Sequence, residues 1–322
     1  YRFAFPMSEL VLLITVAAAI MHGFVRWSRQ WRSGRRIFPL PISSVNAMDV
    51  ALAAWAGLAV FSLVWADERT RAMTELRVLI VEPLLFYALV RILGRDRRFI
   101  SRLVAALLIA GVVVSLIGLG MFAAGQSIIT AEDGAMRLAG VYGSPNNVAL
   151  FLGRCLPFAL ALALISSDRR VKVAAGAMSL LFFLTILLTQ SAGALLLGVP
   201  FSVAVVLLIV LGRRGWLAIG GIGILGAAAF AVAMRSARFQ RLLDFTEGTN
   251  FFRLRVWESA MNMIADHPLT GLGLDQFLYA YRGRYLRPDA WQEPDLSHPH
   301  NVVLDLWVRL GIFGLLLFAF MQ

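Results

Sequence analysis

The chain has 322 residues, of which 59% are hydrophobic and only 15% charged, with a mean hydropathy of +0.76. A water-soluble domain carries about 45–50% apolar and about 25% charged residues, so an ordinary soluble enzyme and a disordered chain are both excluded. The net charge of +11 sits in short loops between apolar runs, which is a signal of membrane orientation and not of a nucleic-acid-binding surface.

The apolar residues come in blocks of about 18–23, long enough to cross a hydrocarbon core of about 30 Å. A lipid-facing β-barrel would alternate polar and apolar residues instead. The predicted fold class is therefore all-α: a polytopic membrane helix bundle with one large, partly helical extracytoplasmic loop. Nine spans are predicted, at 5–23, 45–65, 76–93, 102–124, 147–165, 173–190, 193–211, 215–234 and 301–320. In domain terms, 1–234 holds eight spans, 235–300 is the loop and 301–322 is the ninth span.

The loops alternate in charge. One set holds Arg26, Arg29, Arg32, Arg35 and Arg36, then Arg95, Arg97, Arg98 and Arg102, then Arg169, Arg170 and Lys172, then Arg213 and Arg214. The opposite set of short loops holds only Arg69, Arg71 and Arg137. The positive-inside rule puts the first set in the cytoplasm and the loop 235–300 outside. The chain starts at Tyr1 with a polar lead-in, Ser8 and Glu9, and ends at Gln322 within a span. It reads as an internal piece of a longer protein.

Within the loop, Leu254, Trp257, Met261 and Ile264 recur at helical spacing over 250–266, with Arg253, Arg255 and Glu258 on the wetter side. That predicts an amphipathic helix. His267-Pro268 ends it, because the residue before proline leaves the α region. A second short helix is predicted at 275–286 with Asp275 as N-cap, presenting Tyr279, Tyr281, Arg282, Arg284 and Tyr285. Pro288, Pro294 and Pro299 then hold an extended return to the membrane.

Four features invite a chemical reading. Gly221-Ile222-Gly223-Ile224-Leu225-Gly226 fits the dinucleotide-binding G-x-G-x-x-G, but it lies inside an apolar span, where close helix packing by small residues is the better account. Cys155 is also within an apolar run and reads as a small hydrophobe. His22 is interfacial and His267 is a helix-end residue. His298 and His300 flank Pro299; Zn²⁺ needs three or four ligands and only Asp295 is close, so no metal is expected. His300 precedes a helix starting near Asn301. The dipole there disfavours imidazolium and favours a nearby phosphate. A neutral imidazole serves a general base; a plain capping histidine is equally compatible with the spacing.

Charges inside the predicted spans form the fourth feature. Glu82, Arg154 and Asp305 are each placed roughly 6–11 Å below the outer surface at 1.5 Å per residue. Such charges normally find partners facing the bundle interior. The third, fifth and ninth spans are therefore expected to be neighbours, with Arg154 reaching Glu82 or Asp305 or both, and Arg309 joining by an i,i+4 pairing. A structural ion network is favoured over direct contact with an anionic substrate.

Residues 297–314 read Ser-His-Pro-His-Asn, then Val302 to Leu310, then Gly311-Ile312-Phe313-Gly314. This H-N-x9-G-x-x-G pattern resembles the signature of the O-antigen ligase and O-antigen polymerase superfamily. Arg253-Leu254-Arg255-Val256-Trp257 and the run Ala260 to Gly273 resemble that family's large outer loop, and Arg137-Leu138-Ala139-Gly140 with Pro145-Asn146-Asn147 is a weaker match. Members usually have about a dozen spans, which fits a truncated chain.

The resemblance implies a metal-independent, inverting glycosyl transfer on the outer face of a bacterial inner membrane, with no cofactor. The implied donor is a glycan on a polyprenyl pyrophosphate and the acceptor a sugar hydroxyl on a glycan or glycolipid. His300 would take the acceptor's proton and Arg253 would stabilise the departing pyrophosphate, for which a planar guanidinium is suited. Arg137, Arg255, Arg282, Arg284, His298 and Asn301 are the implied substrate-binding set. One departure stands out: Ser191-Ala192-Gly193-Ala194 has Ala192 where the family often has a cation. Arg137 or the cluster Arg282, Arg284 and Arg287 would then substitute, or substrate handling would differ. A transporter without chemistry and a degenerate structural subunit are the alternative functions; paired repeats and broken helices, typical of transporters, are not visible in the sequence.

Overall fold

The structure is a computed structural model that describes residues 7–32, 45–94, 96–130, 134–233, 235 and 248–322. Arg35, Arg36 and Arg95 of the predicted basic loops lie outside the described residues. Twelve helices are labelled here: α1 Met7–Arg32, α2 Ala47–Phe61, α3 Arg69–Glu75, α4 Glu82–Leu93, α5 Arg97–Ala123, α6 Pro145–Ile165, α7 Arg169–Thr189, α8 Val199–Leu211, α9 Arg213–Ala233, α10 Gly248–Asp266, α11 Phe277–Ala280 and α12 Val302–Met321. A two-stranded antiparallel hairpin, β1 Ile128–Thr130 and β2 Met136–Leu138, is paired with Ile129 opposite Arg137.

Among the described residues six helices are long and apolar enough to cross a membrane: Ala47–Val64, Arg97–Ala123, Pro145–Ile165, Arg169–Thr189, Ala194–Leu211 and Val302–Met321. Between 11% and 33% of each is buried within the chain. Most of each apolar surface, Ile209 and Phe201 for instance, faces outward, as it must where lipid and not water is the solvent. Of the predicted spans 5–23 and 215–234, residues 7–23 and 215–233 fall in α1 and α9, and residues 5, 6 and 234 lie outside the described residues. The predicted span 76–93 is divided: a π-helical segment, Leu76–Val81, precedes α4. Arg77 in that segment pairs with the buried Glu9 of α1 at 3.2 Å.

The chain forms two compact units, residues 96–241 and the remainder. In the 96–241 unit, α5, α6 and α7 pack around Leu108, Val148, Leu152, Cys155, Phe182 and Ile186. Gly111 makes room there: a Cβ on it would sit 2.8 Å from the Phe182 ring and 3.1 Å from the Cys155 sulfur. Leu138 of β2 is fully buried against Gly118 and Gly140. The glycines of 221–226 do not pack as expected. Among the described residues, a Cβ on Gly221, Gly223 or Gly226 would meet nothing within 4 Å, so no helix contact there accounts for them.

In the other unit, α2 runs beside α12, with the Trp55 and Phe318 rings 6.3 Å apart. Ala59, Ala66, Ala72, Leu274 and Leu310 are buried together. The loop helix α10 lies along α12 through Val256, Ala260, Met263 and Ile264 against Leu304, Trp307 and Val308.

Candidate functional site

The start of α12 is built by three consecutive residues. Asn301 is the N-cap, and its side-chain oxygen accepts from the backbone N–H of Val303 and of Leu304 at 3.0 and 3.3 Å. This satisfies two of the otherwise orphaned amides. His300 has φ +52, a left-handed conformation costly for a residue with a Cβ and concentrated at functional sites. Pro299 is buried, while His298 and His300 are exposed with ring centroids 4.2 Å apart. Ser297 contacts His298 Nδ1 at 3.1 Å.

Helix α10 holds this corner from the side. The Trp257 indole N–H donates to the Pro299 carbonyl at 2.8 Å. Arg253 lies one turn before Trp257 on the same helix face and is exposed. The electrostatics join the two residues. The proton affinity of His300 is lowered first by desolvation, then by His298 and then by the Arg253 guanidinium; that of His298 is lowered by desolvation. His300 is thus held neutral at neutral pH, within electrostatic reach of the Arg253 guanidinium.

The other loop arginines are differently placed. Arg255 pairs with Glu258 at 2.8 Å and with Asp289 at 2.7 Å. Arg282 Nε donates to Asp295 at 2.8 Å. Arg284 pairs with Asp266 at 3.2 Å and stands over the Tyr285 ring, and Arg287 pairs with Glu258 at 3.5 Å. Among Arg253, Arg255, Arg282, Arg284 and Arg287, Arg253 is the one without a carboxylate partner among the described residues. An arriving phosphate need displace no acid to reach it.

Two glycine motifs form a single interlock under this corner. Gly311 breaks α12 with φ 66 and ψ −170. The segment after α10 docks into the break: Leu272 N–H donates to the Val308 carbonyl at 2.7 Å, Gly273 N–H to Arg309 at 3.0 Å, and Ile312 N–H to Pro268 at 3.0 Å. The Trp307 indole also donates to the Pro268 carbonyl, at 2.9 Å. The backbones touch, since a Cβ on Gly271 would lie 2.6 Å from the Val308 oxygen and one on Gly311 2.0 Å from the Leu269 oxygen.

The expected Asp305–Arg309 pair forms at 3.0 Å, but its third member is Glu75 at the end of α3, with the Arg309 and Glu75 side chains only 15% and 10% exposed. Sequence reasoning missed Glu75 because it sits at the edge of a predicted outer loop, without periodicity to mark it. Arg154, in α6, is exposed and makes no salt bridge among the described residues, and Glu82 at the start of α4 makes none either. Arg137 belongs to the 96–241 unit, where its guanidinium donates to the Thr189 carbonyl at 3.0 Å and to Asn146 at 3.2 Å. Ala192 follows the buried Ser191 in the same unit and is exposed.

The predicted N-cap of the second loop helix is corrected. Asp275 takes φ +52, the cap position is Gln276 without a side-chain bond, and α11 passes into a π-helical turn, Tyr281–Tyr285. Gln276 is occupied elsewhere, tying the loop to the Glu68 backbone at 2.8 Å and to the Leu274 carbonyl at 2.8 Å. Tyr281 and Tyr285 face inward, and the Tyr285 hydroxyl donates to Asp266 at 2.6 Å.

Residues 177–319 match the model of a family described as O-antigen ligase. That stretch contains Arg253, His300 and the Gly311 break. A protein of Rickettsia conorii, provisionally named a polysaccharide ligase, is 32% identical over 102 residues, which is 30% of this chain. The chain covers 25% of that relative's length.

Proposed function

From the premise that residues 177–319 resemble the O-antigen ligase superfamily, we propose that this multi-pass membrane protein transfers a glycan from a polyprenyl-pyrophosphate donor to a sugar hydroxyl at the extracytoplasmic face. The observation that carries the reading is the corner where the Trp257 indole ties the turn of His300 to the helix bearing Arg253, a guanidinium with no carboxylate partner among the described residues and within electrostatic reach of the neutral imidazole.

A ring nitrogen of His300 takes the proton of the acceptor hydroxyl as that oxygen bonds to the donor's anomeric carbon. The bond from that carbon to the pyrophosphate oxygen breaks, and its electron pair leaves with the pyrophosphate. Arg253 neutralises the charge that develops there; its fork matches two phosphate oxygens at once. A single displacement of this kind inverts the anomeric carbon. It needs no metal, because the guanidinium supplies the positive charge. Ligases and polymerases share this step and differ in the acceptor.

The test is transfer by the purified chain in liposomes carrying a polyprenyl-pyrophosphate glycan and a glycolipid acceptor. The proposal expects product, and a fall of about 10²–10⁴ in rate for His300→Ala with the folded protein retained. Near-normal transfer by His300→Ala would reduce His300 to a residue of the helix cap.

A further inference from the structure

Three helices of the 96–241 unit open on a pair of arginines: Arg97 and Arg98 in α5, Arg169 and Arg170 in α7, Arg213 and Arg214 in α9. All three pairs stand at one end of the unit. The β-hairpin marks the other end. Arg137 donates to the Thr189 carbonyl at the end of α7, and a Cβ on Gly118 of α5 would lie 3.3 Å from the Leu138 side chain. Helices α5 and α7 therefore run parallel, away from their arginines and toward the hairpin. They meet where Gly111 faces the Phe182 ring, almost equally far from Arg97 and from Arg169. The two pairs thus begin at one height, on axes about 8–10 Å apart. Helix α8 descends from the hairpin end and α9 turns back from it. Gly212 takes φ +54 at that turn, and a Cβ on Gly215 would lie 2.6 Å from the Leu207 carbonyl oxygen.

The chain does not neutralise these guanidiniums. All six arginines are exposed, and none makes a salt bridge among the described residues. The acids of the unit among the described residues are Asp96 and Asp168. Both carboxylates are engaged as N-caps, accepting from the backbone N–H of Arg98 at 2.9 Å and of Arg170 at 2.8 Å. Arg102 and Lys172 add further positive charge close by. The helix dipole at these starts is itself positive and adds to the field. Membrane orientation needs only a count of loop cations. Here the fold does more, setting two of the pairs side by side.

Apolar surface adjoins the cations. Trp216 and Leu217, just inside Arg214, are 65% and 81% exposed, and Ile165 at the end of α6 and Val173 near the start of α7 are exposed as well. Guanidiniums at the rim with bare apolar side chains one turn further in match a phosphate joined to acyl chains. A nucleic acid or an acidic peptide would meet the first feature and leave the second uncovered.

We propose that this end of the unit is a binding surface for anionic phospholipids of the bilayer. The arginine pairs take the headgroup phosphates, for which their planar forks are suited, and the apolar residues beside them lie against the acyl chains. In the orientation that the loop charges predict, these lipids belong to the cytoplasmic leaflet, whose surface is negative. The surface is independent of the transfer reading.

Native mass spectrometry of the purified chain in a neutral detergent tests it, with phosphatidylglycerol, cardiolipin and phosphatidylcholine as probes. The chain should prefer the anionic lipids about thirtyfold, the worth of two cations engaging one headgroup at a membrane surface. The preference should shrink as salt rises. Making Arg97→Gln, Arg98→Gln, Arg169→Gln, Arg170→Gln, Arg213→Gln and Arg214→Gln together should abolish it, and the six corresponding Arg→Lys changes should keep it. Arg169→Gln with Arg170→Gln alone leaves the Asp168 cap intact, since that cap uses the Arg170 backbone. This milder variant should keep the fold and carry fewer phosphatidylglycerol adducts per chain. Equal binding of phosphatidylcholine, a preference that survives the six Arg→Gln changes, or an unchanged adduct number in the milder variant overturns the proposal. Displacement of the lipid by glycerol 3-phosphate at matched concentration also overturns it, because the site would then read phosphate and not a lipid.

Discussion

Gly311→Ala should unlock the base of the candidate site. The glycine has φ 66 and ψ −170, a region essentially closed to other residues, and holding an alanine there costs about 1–3 kcal/mol. A Cβ would also lie 2.0 Å from the Leu269 carbonyl oxygen, so the segment 267–273 must lift away. Lifting it breaks the bonds Leu272 to Val308, Gly273 to Arg309 and Ile312 to Pro268, each worth about 0.5–1.5 kcal/mol net. The combined loss is about 3–7 kcal/mol, a large part of the about 5–15 kcal/mol of a typical native state. Denaturation of the detergent-solubilised protein measures it. Gly57→Ala in α2 is the control, because its Cβ meets nothing within 4 Å and a helical alanine should gain up to about 1 kcal/mol. Gly271→Ala breaks the same interlock, so the two losses should add to less than their sum. A Gly311→Ala protein that melts like wild type and keeps its transfer activity would refute the interlock.

Three further outcomes follow from the geometry. Arg309→Met leaves Glu75 and Asp305 buried without their cation and should cost about 3–5 kcal/mol; adding Glu75→Gln and Asp305→Asn should recover most of it in the same denaturation assay. Trp257→Phe removes the indole N–H that holds the Pro299 carbonyl, together with part of the ring; transfer should slow about tenfold, the scale of one hydrogen bond, and stability should fall by about 1–2 kcal/mol in the same denaturation assay. A cysteine at Asp289, introduced with Cys155→Ser, should react with an impermeant maleimide from the extracytoplasmic side; labelling only from the cytoplasm would invert the topology and remove the transfer reading with it.

The sequence disclosed what periodicity and charge encode. The apolar blocks gave the membrane bundle, and the helical recurrence of apolar residues gave α10, which ends at Asp266 before His267-Pro268; its buried face, however, is Val256, Ala260, Met263 and Ile264, and Met261 of the predicted stripe is 52% exposed. The H-N-x9-G-x-x-G run pointed to the right helix start, where Asn301 caps and His300 stands exposed. The contacts were not legible. Whether a loop arginine is spare depends on which carboxylate the fold brings to it, and only the structure separates Arg253 from Arg255, Arg282 and Arg284. The glycines of the two motifs look like separate signatures in sequence; their meaning is backbone contact between residues 40 positions apart, Gly271 and Gly311. The buried ion cluster was half visible, since Asp305 and Arg309 are one turn apart, whereas Glu75 reaches Arg309 from a distant segment.

The most direct test of the central claim, that Arg253 and His300 act as one site, is the pH profile of kcat/KM for wild type and Arg253→Gln. Desolvation, His298 and Arg253 all lower the pKa of His300 from its ordinary 6.5. Wild-type activity should therefore rise with pH and level off through a midpoint below that value, as the imidazole becomes neutral and able to take a proton. Arg253→Gln removes a cation that opposed protonation. Its plateau should fall and its midpoint should move up, toward the ordinary histidine value, since the imidazolium is no longer repelled. A plateau that falls with the midpoint unmoved or lowered would contradict the account, because Arg253 would then act on something other than the His300 corner.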